Sequence, residues 1–193
     1  MGPGKTKKEI KMFSRSRRSF VAATISILTL SSVAFTPRAR VAAARPAVDF
    51  ALRSIDGQSV TADSLRGEVV VLAFGASWLP LSRKQVQGVR KLADNYAKRG
   101  VIVFWVSTES ESPKSKNYAS DEQLRQFAHK YDLNVTVLRD PDGKVSKDLG
   151  VDQIPAIVIL DKQGNVYGEP INGLDPEGNL SDQLAPILNK ILQ

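Results

Sequence analysis

The sequence predicts an α/β fold in which a central mixed β-sheet has helices on both faces and begins with an N-terminal β-hairpin. Continuous apolar, β-branched runs at 69–74 and 101–106 are typical of strands covered on both sides. Segments of helical periodicity separate and follow these runs, which favours strand–helix–strand connections with parallel pairing. Turn signals between short strand patterns near both ends predict that antiparallel strands complete the sheet.

The first half of the chain is predicted to open with the hairpin, because Asp56-Gly57 is a turn signal between two short strand patterns. The buried strand that follows leads into an amphipathic helix. Gly100 stops this helix, since glycine is the usual residue just past a helix end. The predicted elements are strands at 49–52, 59–61, 68–75 and 101–106 and a helix at 82–98.

The second half opens with a capping box, in which Ser120 and Gln123 have the spacing that satisfies two free backbone amides at a helix start. Asp140-Pro141-Asp142-Gly143 is a turn that leads through a short helix to Gly150. The remaining predicted elements are strands at 135–138, 156–160 and 165–167 and a last helix at 180–192.

The composition of the 193-residue chain predicts one soluble domain and excludes much of redox and metal chemistry. Hydrophobic residues make up 42% and charged residues 24%, so a packed core is expected. The chain has no cysteine. Disulfide scaffolds, Cys-ligated zinc, iron–sulfur clusters and thiol nucleophiles are therefore excluded for this chain acting alone.

The net charge of +7 is concentrated at the N-terminus. Residues 1–45 carry ten basic side chains against one acidic side chain, whereas residues 46–193 carry 17 basic against 19 acidic. A nearly neutral body argues against a surface that follows phosphates, so we expect no nucleic-acid partner.

Residues 1–45 have the layout of an export signal, with basic residues, an uncharged run and then small residues that fit a cleavage site. Arg17-Arg18 and the residues after them resemble a twin-arginine motif. We therefore predict an exported domain over 46–193, in the periplasm or cell envelope. Three alternatives stay open: a retained membrane anchor, a transit peptide to an organelle lumen, and a start at Met12 rather than Met1.

Several motifs of the body occur in the order found in one known family. The chain resembles the TlpA/ResA-type thioredoxin-like proteins of the redoxin (alkyl hydroperoxide reductase–thiol-specific antioxidant) superfamily over about 48–193. The resemblance implies a thioredoxin-like sandwich and, in ordinary members, thiol–disulfide oxidoreductase activity. The motifs that carry it are Asp49-Phe50-Ala51-Leu52, Asp56-Gly57, 65–78, Asp140-Pro141-Asp142-Gly143, Gly150-Val151, Ile154-Pro155 and Asp161-Lys162-Gln163-Gly164.

The chain departs from this family at the redox site. After the tryptophan, relatives carry Cys-x-x-Cys at a helix N-terminus, which stabilises a thiolate. Here the two sulfur positions fall on Leu79 and Ser82, and the buried acid of thioredoxins falls on Ala73. We call the segment Trp78, Leu79, Pro80, Leu81 and Ser82 the vestigial site, and expect no catalytic residue in it.

Other chemistry-bearing residues have simpler structural interpretations. Ser82 is predicted to cap the helix, because a serine nucleophile needs an adjacent base. His129 is predicted to be a solvated helix residue, since one histidine without cysteine forms no metal site. Asp140 and Asp142 are assigned to turn chemistry, and Trp105 to the core. We expect no metal and no cofactor.

Ile154-Pro155 is the family feature that survives. The resemblance implies a cis peptide bond here, with the backbone of Ile154 pairing with an extended substrate peptide. The peptide-binding candidates are therefore Trp78, Leu79, Ile154 and Pro155.

Two functions remain open. One is a non-catalytic module that binds an exported or envelope protein through this groove or through the segment 109–119. The other is an oxidoreductase whose thiols come from a partner.

Overall fold

The computed structural model describes residues 48–173 and 179–193. The strands are β1 (Ala51–Ser54), β2 (Ser59–Thr61), β3 (Val69–Gly75), β4 (Val101–Ser107), β5 (Thr136–Arg139), β6 (Ala156–Leu160) and β7 (Ile171–Asn172). The helices are α1 (Pro80–Tyr96), α2 (Asp121–Lys130), α3 (Lys144–Asp148) and α4 (Leu180–Ile191), and Asp63–Leu65 and Ala97–Arg99 form 3₁₀ turns. The predicted export signal and the choice of start residue lie outside the described residues.

The strands form one seven-stranded sheet in the order β2-β1-β5-β4-β3-β6-β7. Strands β3, β4 and β5 are parallel, as their helical connections require. The pairs β1–β2, β1–β5, β3–β6 and β6–β7 are antiparallel. The mixed sheet and its N-terminal hairpin are therefore as predicted.

The core lies on both faces of the sheet because successive side chains of a strand point to opposite sides. On β3, Val69, Val71 and Ala73 pack with apolar residues of α1, α2 and α4. The alternate residues Val70, Leu72 and Phe74 pack with residues of β1, the first 3₁₀ turn and α3. All seven residues of β3 are buried, which accounts for its continuous apolar sequence.

The bounds of α1 differ from the prediction, whereas α2 begins where it was predicted to begin. Helix α1 begins at Pro80, two residues before the predicted start, because proline fits the first helical position, where no amide partner is needed. It ends at Tyr96, and the second 3₁₀ turn runs on to Gly100, whose φ of +75° reverses the chain. Helix α2 begins with the predicted capping box of Ser120 and Gln123.

The segment predicted as a strand at 165–167 does pair antiparallel with the end of β6, through backbone hydrogen bonds from Asp161 to Asn165 and from Tyr167 to Ile159, but it does not extend into a strand. Val166 makes a single bridge to Leu160, and the strand that pairs with β6 is the two-residue β7. The ladder is interrupted because Gly168 turns the chain with φ +77° and Pro170 has no amide to donate. Among the helices that the structure describes, none is long and apolar enough to cross a membrane.

Candidate functional site

The vestigial site is the connection between the end of β3 and the start of α1. Leu79 is the N-cap residue with extended dihedral angles (φ −80°, ψ 123°), and its side chain makes no capping hydrogen bond. The amide of Arg83 donates to the carbonyl of Leu79 over 3.2 Å and closes the first turn of α1. Leu79 and Ser82, to which the resemblance assigns the two sulfur positions, therefore lie across one helical turn.

Ser82 is not a helix cap, which corrects the prediction. It is fully buried in the first turn of α1, and its Oγ accepts a hydrogen bond from the amide of Ala76 over 3.2 Å. The hydroxyl thus satisfies a buried backbone amide in the approach to the helix, which would otherwise cost free energy.

The buried carboxylate of Glu109, two residues after β4, stabilises the same connection between β3 and α1. Its carboxylate accepts hydrogen bonds from the amide of Ser77 (2.9 Å), the hydroxyl of Ser77 (2.7 Å) and the hydroxyl of Ser107 (3.1 Å). Glu109 is only 1% exposed. Sequence reasoning missed this residue, because an acid in a segment rich in serine and lysine gives no signal of burial.

The Trp78 side chain is exposed, and one hydrogen bond fixes the position of its ring. Its indole Nε1 donates to Oδ1 of Asn117 over 2.7 Å, and Asn117 Nδ2 donates to the carbonyl of Thr108. The guanidinium of Arg83 donates to the carbonyls of Ser77 and Trp78. The ring is thus presented by an anchored backbone while 54% of the residue stays exposed.

The Ile154-Pro155 peptide bond is cis, as the resemblance implied. In the register of β3 with β6, Phe74 lies opposite Ala156. The residues after Phe74 and those before Ala156 therefore leave the sheet at the same edge, which brings the vestigial site and Ile154 to one end of the molecule. Nε2 of Gln85 on α1 donates to the carbonyl of Ala156 and ties the two segments together.

The space under the first turn of α1 is filled tightly. A Cβ on Gly75 would lie 2.9 Å from Ser82 Oγ, 3.1 Å from the Trp105 ring and 3.2 Å from Gln85 Oε1. Within the described ranges, Gln85 Oε1 and Trp105 Nε1 are buried without a hydrogen-bond partner. Ala73, at the position of the thioredoxin acid, is buried opposite Trp105 in the register of β3 with β4.

The remaining candidates of the sequence have structural roles. His129 is exposed on α2, and Trp105 is fully buried in the core. Asp140 is buried and accepts from the amides of Val145 and Ser146 at the start of α3, which is turn and cap chemistry.

Known proteins resemble this chain over most of the described domain. Residues 43–168 match the AhpC/TSA family. Thioredoxin-like protein YneN of Bacillus subtilis is 31% identical over 118 residues, which are 61% of this chain and 65% of YneN. Thiol-disulfide oxidoreductase ResA of Bacillus thuringiensis is 24% identical over 159 residues, 82% of this chain and 86% of ResA.

A solved structure shares the fold. The exposed lipoprotein thioredoxin Etrx1 from Streptococcus pneumoniae aligns with a TM-score of 0.60 and 25% identity, over 74% of this chain and 99% of Etrx1. The predicted thioredoxin-like fold is thereby confirmed.

Proposed function

Because this chain belongs to the AhpC/TSA family, as a TlpA/ResA-type thioredoxin-like protein, and yet contains no cysteine, we propose that it binds an extended segment of a partner protein and performs no dithiol chemistry of its own. One observation carries the proposal. Among the described residues, the large apolar side chains that are exposed are Trp78 (54%) and Leu81 (38%), and both belong to the vestigial site.

An exposed tryptophan on an anchored backbone is suited to binding. Tryptophan side chains bury about 150–250 Å² each and are frequent energetic centres of protein interfaces. The indole of Trp78 makes its hydrogen bond to Asn117 while more than half of the residue is exposed. A partner therefore gains apolar contact without breaking a hydrogen bond of this protein.

The backbone of Ile154 offers the complementary polar contact. In the described part of the chain, neither its amide nor its carbonyl makes a hydrogen bond, and the side chain is half-buried. An extended peptide that pairs with such a residue adds a strand, so that main-chain hydrogen bonds give affinity and neighbouring apolar side chains give selectivity.

Export of the protein to the periplasm or cell envelope is part of the proposal. The basic leader of residues 1–45 supports it. The description of the similar Etrx1 as an exposed lipoprotein agrees with it.

Site-specific photo-crosslinking in cells tests the binding. A crosslinking residue at Leu81 is expected to form adducts with a partner, and the Trp78→Ala variant is expected to lose them. The same residue placed at the exposed Lys147 on α3 serves as the matched control. Adducts of equal yield at both positions, or adducts that persist in Trp78→Ala, would contradict a binding role for this surface.

The alternative function is thiol–disulfide exchange with thiols supplied by the partner, which the name of the relative ResA favours. Reduction of insulin by dithiothreitol tests whether the chain has oxidoreductase activity of its own, without a partner. We expect the purified protein to leave the uncatalysed rate unchanged, because neither Leu79 nor Ser82 can form a mixed disulfide. A faster rate would refute the non-catalytic proposal.

A further inference from the structure

We propose that the surface around Trp78 and Leu81 selects protein segments in which an apolar residue is flanked by acidic residues. This inference rests on the proposed function and names the chemistry of its ligand. Four basic residues lie close to the apolar pair along the chain or through Asn117: Arg83 and Lys84 follow Leu81 in the first part of α1, and Lys114 and Lys116 lie within three residues of Asn117, whose Oδ1 accepts from the Trp78 ring.

These four basic residues are exposed and have no acidic partner within the described ranges. Six other basic residues of the domain each pair with a carboxylate: Arg53, Arg66, Arg90, Arg125, Arg139 and Lys144. Further basic residues without an ion pair in the described part of the chain, such as Lys147 and Lys162, are not in these two segments. Because residues 46–193 carry more acidic than basic side chains, a basic rim here is a local feature and not a consequence of overall charge.

The start of α1 adds to the positive potential of this surface. A helix N-terminus has a partial positive charge that acidic or hydroxyl side chains normally offset. Helix α1 has no acidic residue in its first turn, and its N-cap residue Leu79 cannot accept a hydrogen bond through its side chain. An acidic side chain of a ligand would supply the missing negative charge.

Acidic residues occur in the same segments, but none pairs with the four basic side chains within the described ranges. Glu109 lies beneath the turn, and its carboxylate is engaged by Ser77 and Ser107. Asp152 is exposed but precedes Ile154, on the other side of the proposed peptide. The basic rim thus belongs to α1 and the segment 109–119, and none of its four residues adjoins Ile154 in the chain.

An apolar patch with a basic rim would also suit an anionic membrane surface, but two observations favour a peptide. The exposed apolar contact consists of two side chains, which is small for insertion into a bilayer. The open amide and carbonyl of Ile154 match a peptide backbone, and lipid chains have no such groups.

Fluorescence anisotropy with labelled synthetic peptides and the full-length protein tests the inference. Three nine-residue peptides share an apolar centre and differ only in flanking Glu, Gln or Lys residues. At low salt we expect the Glu-flanked peptide to bind about tenfold more tightly than the Gln-flanked one, as two or three exposed ion pairs would give. At 0.5 M NaCl this advantage should fall to about twofold, because salt screens exposed charges.

Charge reversal supplies the matched control. Lys84→Glu with Lys116→Glu should abolish the preference for Glu, whereas Lys147→Glu with Lys162→Glu, at exposed positions away from the surface, should keep it. The basic leader is present in every variant and so cancels in the comparison.

The outcomes separate the two proposals. Equal affinity for the Glu, Gln and Lys peptides, with binding lost in Trp78→Ala, overturns the charge selectivity and leaves the peptide-binding proposal standing. No binding of any peptide, or binding that Trp78→Ala does not weaken, overturns both. Binding to phosphatidylglycerol vesicles that requires Trp78, without peptide binding, overturns the peptide as ligand and replaces it with a membrane surface.

Discussion

Position 75 needs glycine because there is no room for a side chain, and not because of its backbone conformation. It ends β3 beneath the first turn of α1, where a Cβ would lie 2.9 Å from Ser82 Oγ and 3.1 Å from the Trp105 ring. Ser82 Oγ is held by the amide of Ala76, and Trp105 is fully buried, so neither neighbour moves away without cost. The vestigial site thus remains a tightly packed turn although its redox residues are absent.

Gly75→Ala should lower the free energy of unfolding by about 1–3 kcal/mol, because adding a methyl group to a filled core forces its neighbours apart. Ser82→Ala should cost a similar amount, about 1–3 kcal/mol, since it leaves the amide of Ala76 buried without an acceptor. The double variant should cost less than the sum, because removal of Oγ makes room for the new methyl group. Urea unfolding of the four proteins measures this, and strict additivity would contradict the packing argument.

At the scale of elements, the start of α2 is joined to two strands by a group of charges. Arg53 of β1 makes two hydrogen bonds to the carboxylate of Asp121, at 2.8 and 3.2 Å. Arg139 of β5 is buried, and its Nη1 lies 3.4 Å from Asp121 Oδ1. Arg139 Nη2 also donates to the carbonyls of Glu109 and Ala119, so one side chain closes both ends of the segment between β4 and α2.

Because of this arrangement, we expect the stability of the fold to change with pH in the acidic range. The hydrogen bonds from Arg53 lower the pKa of Asp121, with charge attraction from Arg53 and Arg139 acting in the same direction and burial opposing them. A lowered pKa in the folded state stabilises the fold above the unfolded value of about 3.9. That stabilisation is lost as the pH falls through the folded value.

Asp121→Asn should therefore destabilise the protein at pH 6–7, and the difference from the unmodified protein should shrink as the pH falls below about 4. Urea unfolding at a series of pH values measures the difference. Asp49→Asn is the matched control, because Asp49 is exposed and makes no ion pair in the part of the chain that the structure describes. A loss for Asp121→Asn that is the same at pH 3 and pH 7 would contradict the assignment.

At the scale of the whole molecule, the sequence predicts the elements that local patterns define. The buried strands β3 and β4 follow from their continuous apolar runs, and α2 follows from the Ser120 capping box. The start of α1 could also have been predicted, because Pro80 at a first helical position is a recognised signal. Strand β7 could not, since two residues carry no periodicity.

The buried polar residues that hold the candidate site in place could not be predicted from the sequence, because their burial depends on tertiary packing. Glu109 is buried because β4 ends beside the turn that carries Ser77, and Arg139 is buried because β5 runs beneath the segment 109–119. Such polar contacts join residues 20 to 32 positions apart, which no local pattern encodes. The residues of the vestigial site were singled out because the family resemblance indicated their positions, and their role in binding stays a prediction.

The first turn of α1 should still support a disulfide between positions 79 and 82. Leu79 and Ser82 lie across the first turn of α1, with Pro80 between them. Disulfide closure needs Cα atoms about 4.4–6.8 Å apart, which a first helical turn supplies. Thiols at helix N-termini have a pKa below the free value of about 8.5, and the nearby Arg83 favours the thiolate further.

The double change Leu79→Cys with Ser82→Cys should therefore form an intramolecular disulfide and gain insulin reductase activity. Each single change should give neither, because exchange of this kind needs both sulfurs. The half-buried position 79 and the buried position 82 also predict that an alkylating reagent modifies the first thiol faster than the second in the reduced protein. If the pair stays reduced under oxidising conditions while circular dichroism shows an intact fold, Leu79 and Ser82 do not occupy the two sulfur positions.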